Sequence, residues 1–186
     1  MRLIAITIAA ALLLAGCQQP PANQLAESQL SPKALYSHGP VEQITDDSAG
    51  SDLEPDLSCD GKWMAFVSTR HSSIPQVYLQ SLGDGRIIQK TDGPYPNLSP
   101  KLSPDGQWLA LASNRSGNFD LWVMPAHEEG LTWQVTTAPG EDRSPSWSPD
   151  GKRLAYGSKD EYGRWHLWVA ELSSRNRTYL CPGERP

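Results

Sequence analysis

Residues 145–158 read Pro145-Ser146-Trp147-Ser148-Pro149-Asp150-Gly151-Lys152-Arg153-Leu154-Ala155-Tyr156-Gly157-Ser158. The pattern stands again 45 residues upstream, opening with Pro100-Lys101-Leu102-Ser103-Pro104-Asp105-Gly106. A third copy lies 45 residues before that, opening with Pro55-Asp56-Leu57-Ser58-Cys59-Asp60-Gly61. Tandem copies of one unit at a fixed period define a repeat architecture, in which each unit buries its faces on its neighbours.

Each copy spells out its own strands. A very short strand enters the motif (Asp56-Leu57-Ser58, Lys101-Leu102-Ser103, Ser146-Trp147-Ser148). A turn follows: Pro104 and Pro149 preset φ, Asp105 and Asp150 suit the next position, and Gly61, Gly106 and Gly151 tolerate positive φ. The second strands, Trp63–Ser68, Trp108–Ser113 and Arg153–Ser158, are almost continuously apolar, which predicts burial on both faces. Ala65, Ala110 and Ala155 keep one position small, as close packing between sheets requires. Third strands are expected at Val77–Leu79, Leu121–Val123 and Leu167–Val169, and fourth strands near residues 86–90, 132–135 and 178–180. Four antiparallel strands per repeat of about 45 residues fit a propeller blade, so the fold class is all-β.

The order threonine, loop, Ser-Pro-Asp-Gly, apolar strand, Ser-x-Arg, loop, apolar strand resembles the TolB-type propeller repeat. It is carried by Thr45, Thr91 and Thr136, by the three Asp-Gly turns, and by Ser68-Thr69-Arg70 and Ser113-Asn114-Arg115. The third copy departs from it at Ser158-Lys159-Asp160, and the first replaces the turn proline by Cys59. The resemblance implies a partial β-propeller over residues 41–186, with three four-stranded blades at about 46–90, 91–136 and 137–180. Complete propellers have four to eight blades, and TolB-type propellers typically six. Three readings of the shortfall stay open: a homodimer completing a six-bladed ring, an open arc shielded by its tether or a partner, or a shortened form of a longer gene.

Residues 1–16 read as a signal peptide: Arg2, then an apolar run from Leu3 to Leu14, too short to span a bilayer comfortably. Leu14-Ala15-Gly16-Cys17 resembles the lipobox of bacterial lipoproteins, which implies cleavage before Cys17 and acylation of that residue. Two or more lipid chains make a stable anchor. Gln18 is not the aspartate that retains such proteins at the inner membrane in enteric bacteria, so the outer membrane, facing the periplasm, is favoured if the organism has one. Residues 17–40, rich in Gln, Pro, Ala and Ser, read as the acylated cysteine and a flexible tether.

Removal of residues 1–16, which hold one cation (Arg2), takes the net charge from −5 to −6, arguing against a nucleic-acid partner. Cys59 and Cys181 remain beside Cys17; an envelope location permits a bridge between them, but sequence does not show that they meet. There is no nucleophile elbow, no phosphate-cradling loop and no Cys/His zinc spacing, and His38, His71, His127 and His166 are scattered. Asp46, Asp47, Asp52, Glu54 and Asp56 form one acidic cluster, read as a solvated loop or a calcium site without EF-hand spacing. No enzyme activity, cofactor or metal is therefore expected. The loops opposite the Asp-Gly turns are longer and more varied, which makes their face the expected binding surface. It offers Tyr95, Arg115, Arg143, Tyr162, Arg164 and Trp165 for a partner, with Arg115 equally readable as a loop brace. The expected function is a lipid-anchored envelope module that binds other envelope proteins. The alternatives are an accessory or remnant propeller of a peptidase or hydrolase, since TolB-like repeats also gate prolyl-oligopeptidase-type and tricorn-type peptidases, and a glycan- or ligand-recognition module.

Overall fold

The computed structural model describes residues 42–45, 50–173 and 177–179. The chain divides into two units, Met1–Asp46 and Asp47–Pro186. In the first, residues 42–45 have no regular secondary structure, and Gln43 Nε2 donates to the Thr45 carbonyl at 2.8 Å. The signal peptide, Cys17, the tether and Cys181 lie outside the described residues.

The second unit is built of three antiparallel sheets, each of four strands in sequence order. Blade 1 holds β1 (Asp52–Leu57), β2 (Trp63–Ser68), β3 (Gln76–Ser81) and β4 (Ile87–Gln89). Blade 2 holds β5 (Asn97–Leu102), β6 (Trp108–Ser113), β7 (Asp120–Pro125) and β8 (Trp133–Gln134). Blade 3 holds β9 (Asp142–Trp147), β10 (Arg153–Lys159), β11 (Trp165–Glu171) and β12 (Arg177–Tyr179). This is the partial propeller the repeat predicts.

The turns between first and second strands share one hydrogen-bond scheme. Ser58, Ser103 and Ser148 donate their hydroxyls to Asp60, Asp105 and Asp150 at 2.6, 2.5 and 2.5 Å. The same serine oxygens accept from the amides of Trp63, Trp108 and Arg153, which locks the strand that follows. The serine hydroxyl is also the main reason the Asp60 and Asp150 carboxyls sit below the ordinary aspartate pKa. The aspartates form the turn, with Gly61, Gly106 and Gly151 at φ of 67°, 70° and 68°. Cys59, in the turn where the other blades have proline, is disulfide-bonded.

The first strands differ from expectation. They begin at Asp52, Asn97 and Asp142, four residues before the short strands predicted, and pass the prolines through a bulge. Pairing with the second strand breaks between Leu53 and Asp56 and between Leu98 and Lys101, and β9 shows the same interruption against β10. Inside each bulge a non-glycine residue takes a left-handed backbone: Glu54, Ser99 and Ser144, at φ of 52°, 53° and 55°. Proline lacks an N–H for the ladder, and a bulge is where a strand tolerates it.

Neighbouring blades pack face to face. The forward face of blade 1 (Ala65, Val67, Val77, Leu79) meets the rear face of blade 2 (Leu109, Leu111, with Trp122 and Met124) in one core. The forward face of blade 2 (Ala110, Ala112, Leu121, Val123) meets the rear face of blade 3 (Leu154, Tyr156, Ala170, with Trp168) in the next. Blade 3 corrects the sequence reading. Its second strand buries alternate residues only, Leu154, Tyr156 and Ser158, because among the described residues no sheet covers its forward face. The rear face of blade 1, with Met64, Phe66 and Tyr78, is buried.

Candidate functional site

The loops that join second to third strands, and each blade to the next, emerge together opposite the Asp-Gly turns. A threonine after each of two fourth strands clamps the neighbouring third strand. Thr91 Oγ1 accepts from Val77 N at 2.8 Å, and Thr136 Oγ1 accepts from Leu121 N at 2.9 Å. Each also donates to the side chain one residue earlier, Gln76 and Asp120. Asn118 Nδ2 donates to the Ala138 and Gly140 carbonyls, tying loop to loop. Gly140 lies so close to blade 3 that a Cβ there would fall 1.8 Å from the Lys159 carbonyl oxygen.

Of the six residues expected to bind a partner, two are built into this scaffold. Arg115 donates to Ser113 Oγ and Asn97 Oδ1 and lies 4.9 Å from the Trp122 ring centre, and burial lowers its pKa. Arg70 repeats the arrangement in blade 1, donating to Asp52 and covering Phe66 and Tyr78. Arg143 stacks on Phe119 at 3.9 Å and pairs with Glu141 at 2.9 Å. Tyr95 is exposed on the β4–β5 loop, where its carbonyl accepts from Gln76 and Asn97. Tyr162 and Arg164 stand on the β10–β11 loop, and Trp165 opens β11. Tyr162 is 73% exposed and Trp165 50%, and Arg164 lies 5.0 Å over the Tyr162 ring.

Asp160 organises that loop. Its Oδ1 accepts from the amides of Tyr162 and Arg164, and its Oδ2 accepts from Arg164 Nε at 3.0 Å and faces His166 Nε2 at 2.9 Å. His166 is the first cause, and these donors the next, of an Asp160 pKa far below the ordinary aspartate range. The sequence reading passed over this pair. The signal it could have used is local: an aspartate two and four residues before Tyr162 and Arg164 can accept both amides, as Asx turns do. Trp165 leans over Gly157, where an added Cβ would meet its ring at 3.3 Å. It lies on the open forward face with Leu167, which is 56% exposed.

Three members of the acidic cluster serve contacts within the fold. Asp52 pairs with Arg70, and Asp56 bridges to Lys101 Nζ at 2.8 Å and to Leu102 N at 2.8 Å. Glu54 accepts from Ser99 N. Asp46 and Asp47 lie outside the described residues. The described histidines are dispersed over the blades: His71 on the Tyr78 hydroxyl, His127 against Trp63, His166 on Asp160.

The sheet order, the shared turn chemistry and the face-to-face blades agree with the comparison of sequence families: the TolB beta propeller domain family matches residues 34–182. The chain belongs to this family. Solved structures place the fold in several settings. TolB from Acinetobacter baumannii superposes with a TM-score of 0.64 at 20% identity, covering 76% of this chain and 35% of that one. A puromycin-hydrolyzing peptidase from Mycobacterium tuberculosis gives 0.61 at 20% identity, with 76% and 23% covered. An oligogalacturonate lyase from Vibrio parahaemolyticus gives 0.60 at 12% identity, with 74% and 42% covered. The chain thus spans about a third of that TolB and less than half of the other two proteins. No curated protein sequence matches the chain. At these identities the likeness establishes the TolB-type propeller fold, which hosts more than one function.

Proposed function

We propose that the protein is a lipid-anchored, non-enzymatic interaction module of the bacterial cell envelope, whose TolB-type propeller presents blade 3 to another envelope protein. One observation carries the reading: Tyr162, Arg164, Trp165 and Leu167 stand in solvent along one stretch of blade 3. Aromatic residues and arginine supply most of the energy of protein interfaces, and an exposed apolar face marks where one forms. The Leu14-Ala15-Gly16-Cys17 sequence supports acylation at Cys17, and Gln18 supports an outer-membrane site in a Gram-negative host. The test is capture from detergent-solubilised envelope. The wild-type chain should retain one protein reproducibly, and the Tyr162→Ala/Trp165→Ala variant should lose it; equal capture by both refutes the reading. Labelled palmitate should enter the wild type and not Cys17→Ala.

A second copy of the chain is one candidate for the partner. Ring closure would set the open face of blade 3 on the rear face of another copy's blade 1, and that face is buried in the single chain, so it must first be uncovered. A mass of one chain in light scattering removes this option. The peptidase likeness, nearly as good as that to TolB, favours a second reading: a propeller that admits substrate to a hydrolase on another chain. It requires a stable complex with a hydrolase whose activity changes on mixing.

A further inference from the structure

The two seams between blades can be compared at their Asp-Gly-turn ends, away from the loop face. In the first seam His127, two residues beyond β7, lays its imidazole against Trp63 with 4.6 Å between ring centres. A cavity of about 160 Å3 is left beside it, lined in part by the Pro104-Asp105-Gly106 turn. Every position has a counterpart in the second seam: Trp108 for Trp63, Lys152 for Gln107, Ser173 for His127. The register is the same, since Leu172 N donates to the Lys152 carbonyl as Ala126 N does to that of Gln107, both at 2.9 Å.

The contents differ. Ser173 brings no ring, and Trp133, packed edge-on to Trp108 at 5.0 Å, stands where blade 1 has Ile88. What remains is an open cleft of about 320 Å3 walled by Trp108, Trp133, Trp147 and Leu172. Trp147 already gives its indole N–H to the Lys101 carbonyl at 2.9 Å, so it offers the cleft an apolar wall.

We infer that this second cleft is a binding site for a small planar aromatic molecule, which takes the place that the His127 ring fills in the first. The first seam shows what the geometry accepts: a flat ring against the tryptophan that opens the second strand. Aromatic rings pair best offset or edge-on at about 4.5–7 Å between centres, and three indoles offer several such contacts. The volume is at the small end of the range of small-molecule sites, roughly 300–1,000 Å3, which favours a free compound over a peptide. The site is independent of the protein partner proposed above, being on the opposite end of the blades.

Indole is the probe, titrated into the full chain and followed by saturation transfer from protein to ligand. The wild type should bind with a Kd on the order of 1 mM, as suits a fragment of this size. Ser173→His, which copies the first seam, should weaken binding by at least about tenfold, and Ser173→Gly should retain it. Trp133→Ile, which copies Ile88, should also weaken it, and His127→Ser should add a second binding event. Thermal unfolding of each variant checks that it is folded. The inference is overturned by absence of saturable indole binding to the wild type, by unchanged affinity in both Ser173→His and Trp133→Ile, or by binding of a Gly-Trp-Gly peptide and not of indole.

Discussion

Leu121-Trp122-Val123 in blade 2 and Leu167-Trp168-Val169 in blade 3 are the same three residues at the same place in the third strand, paired alike with Ala112/Ala110 and Gly157/Ala155. Yet Leu121 is 0% exposed and Leu167 is 56% exposed. The three residues are identical, so the neighbour decides their burial. Blade 2 has blade 3 against its forward face; blade 3 has no described sheet against its own. In a repeat protein, stability is a sum of units and interfaces, and a unit with one interface fewer keeps its fold while its uncovered face becomes available.

That contrast can be broken most directly by truncation. Leu121→Ala should cost about 3 kcal/mol in denaturant unfolding, through lost transfer energy and the cavity left behind. Leu167→Ala should cost less than about 1 kcal/mol, as an exposed substitution does. Equal costs would mean that the forward face of blade 3 is covered in solution. Next in size is the threonine clamp on blade 2. Thr136→Val removes the acceptor of the Leu121 amide, leaves a buried N–H unpaired, and should cost about 1–3 kcal/mol by the same measurement.

A finer test exchanges the two blades at one atom. Gly157→Ala copies Ala112 and puts a methyl where the Trp165 ring rests, 3.3 Å away. The expected result is a red shift of tryptophan emission as the ring is pushed into water, with a stability change under about 1 kcal/mol. The smallest effect concerns how each loop is braced. Blade 2 uses Arg115, reaching back to Ser113 and Asn97, where blade 3 has Asp160, gathering donors from its own loop. The folded pKa of Asp160 is depressed, so its contribution is fully present above the unfolded aspartate value, near 3.8, and is lost as pH falls below it. In a carboxyl-detected NMR titration Asp160 should stay ionised to lower pH than an ordinary aspartate, and His166→Ala should raise its midpoint.

Much of the fold was legible because turns and burial have short-range signatures. The Ser-Pro-Asp-Gly runs name their own hydrogen bonds, and the small column at Ala65 and Ala110 reports the tight seam it packs into. The bulges at Glu54, Ser99 and Ser144 were not legible, because a left-handed residue before proline carries no composition of its own; only their shared 45-residue spacing marks them. The reading of residues 153–158 as buried on both sides failed because an apolar run records what a strand can bury, not whether a neighbour is there. At the candidate site, Tyr162, Arg164 and Trp165 are near one another because they are close in sequence, two on the β10–β11 loop and one at the start of β11. Arg115 was readable as a brace only from its Ser-x-Arg position, and Arg143 could not be sorted from them by type, since an arginine over a ring is the same residue whether the ring belongs to its own blade or to a partner.

The prolines of the first strands have a consequence for how the sheets meet other chains. Pro55, Pro100 and Pro145 sit in kinked backbone on the first strand, at one edge of each sheet. A sheet border without a regular row of donors is a poor template for another chain. That edge of each sheet is therefore guarded against recruiting stray strands into fibrils. Contacts at that edge fall to side chains, where recognition can be selective.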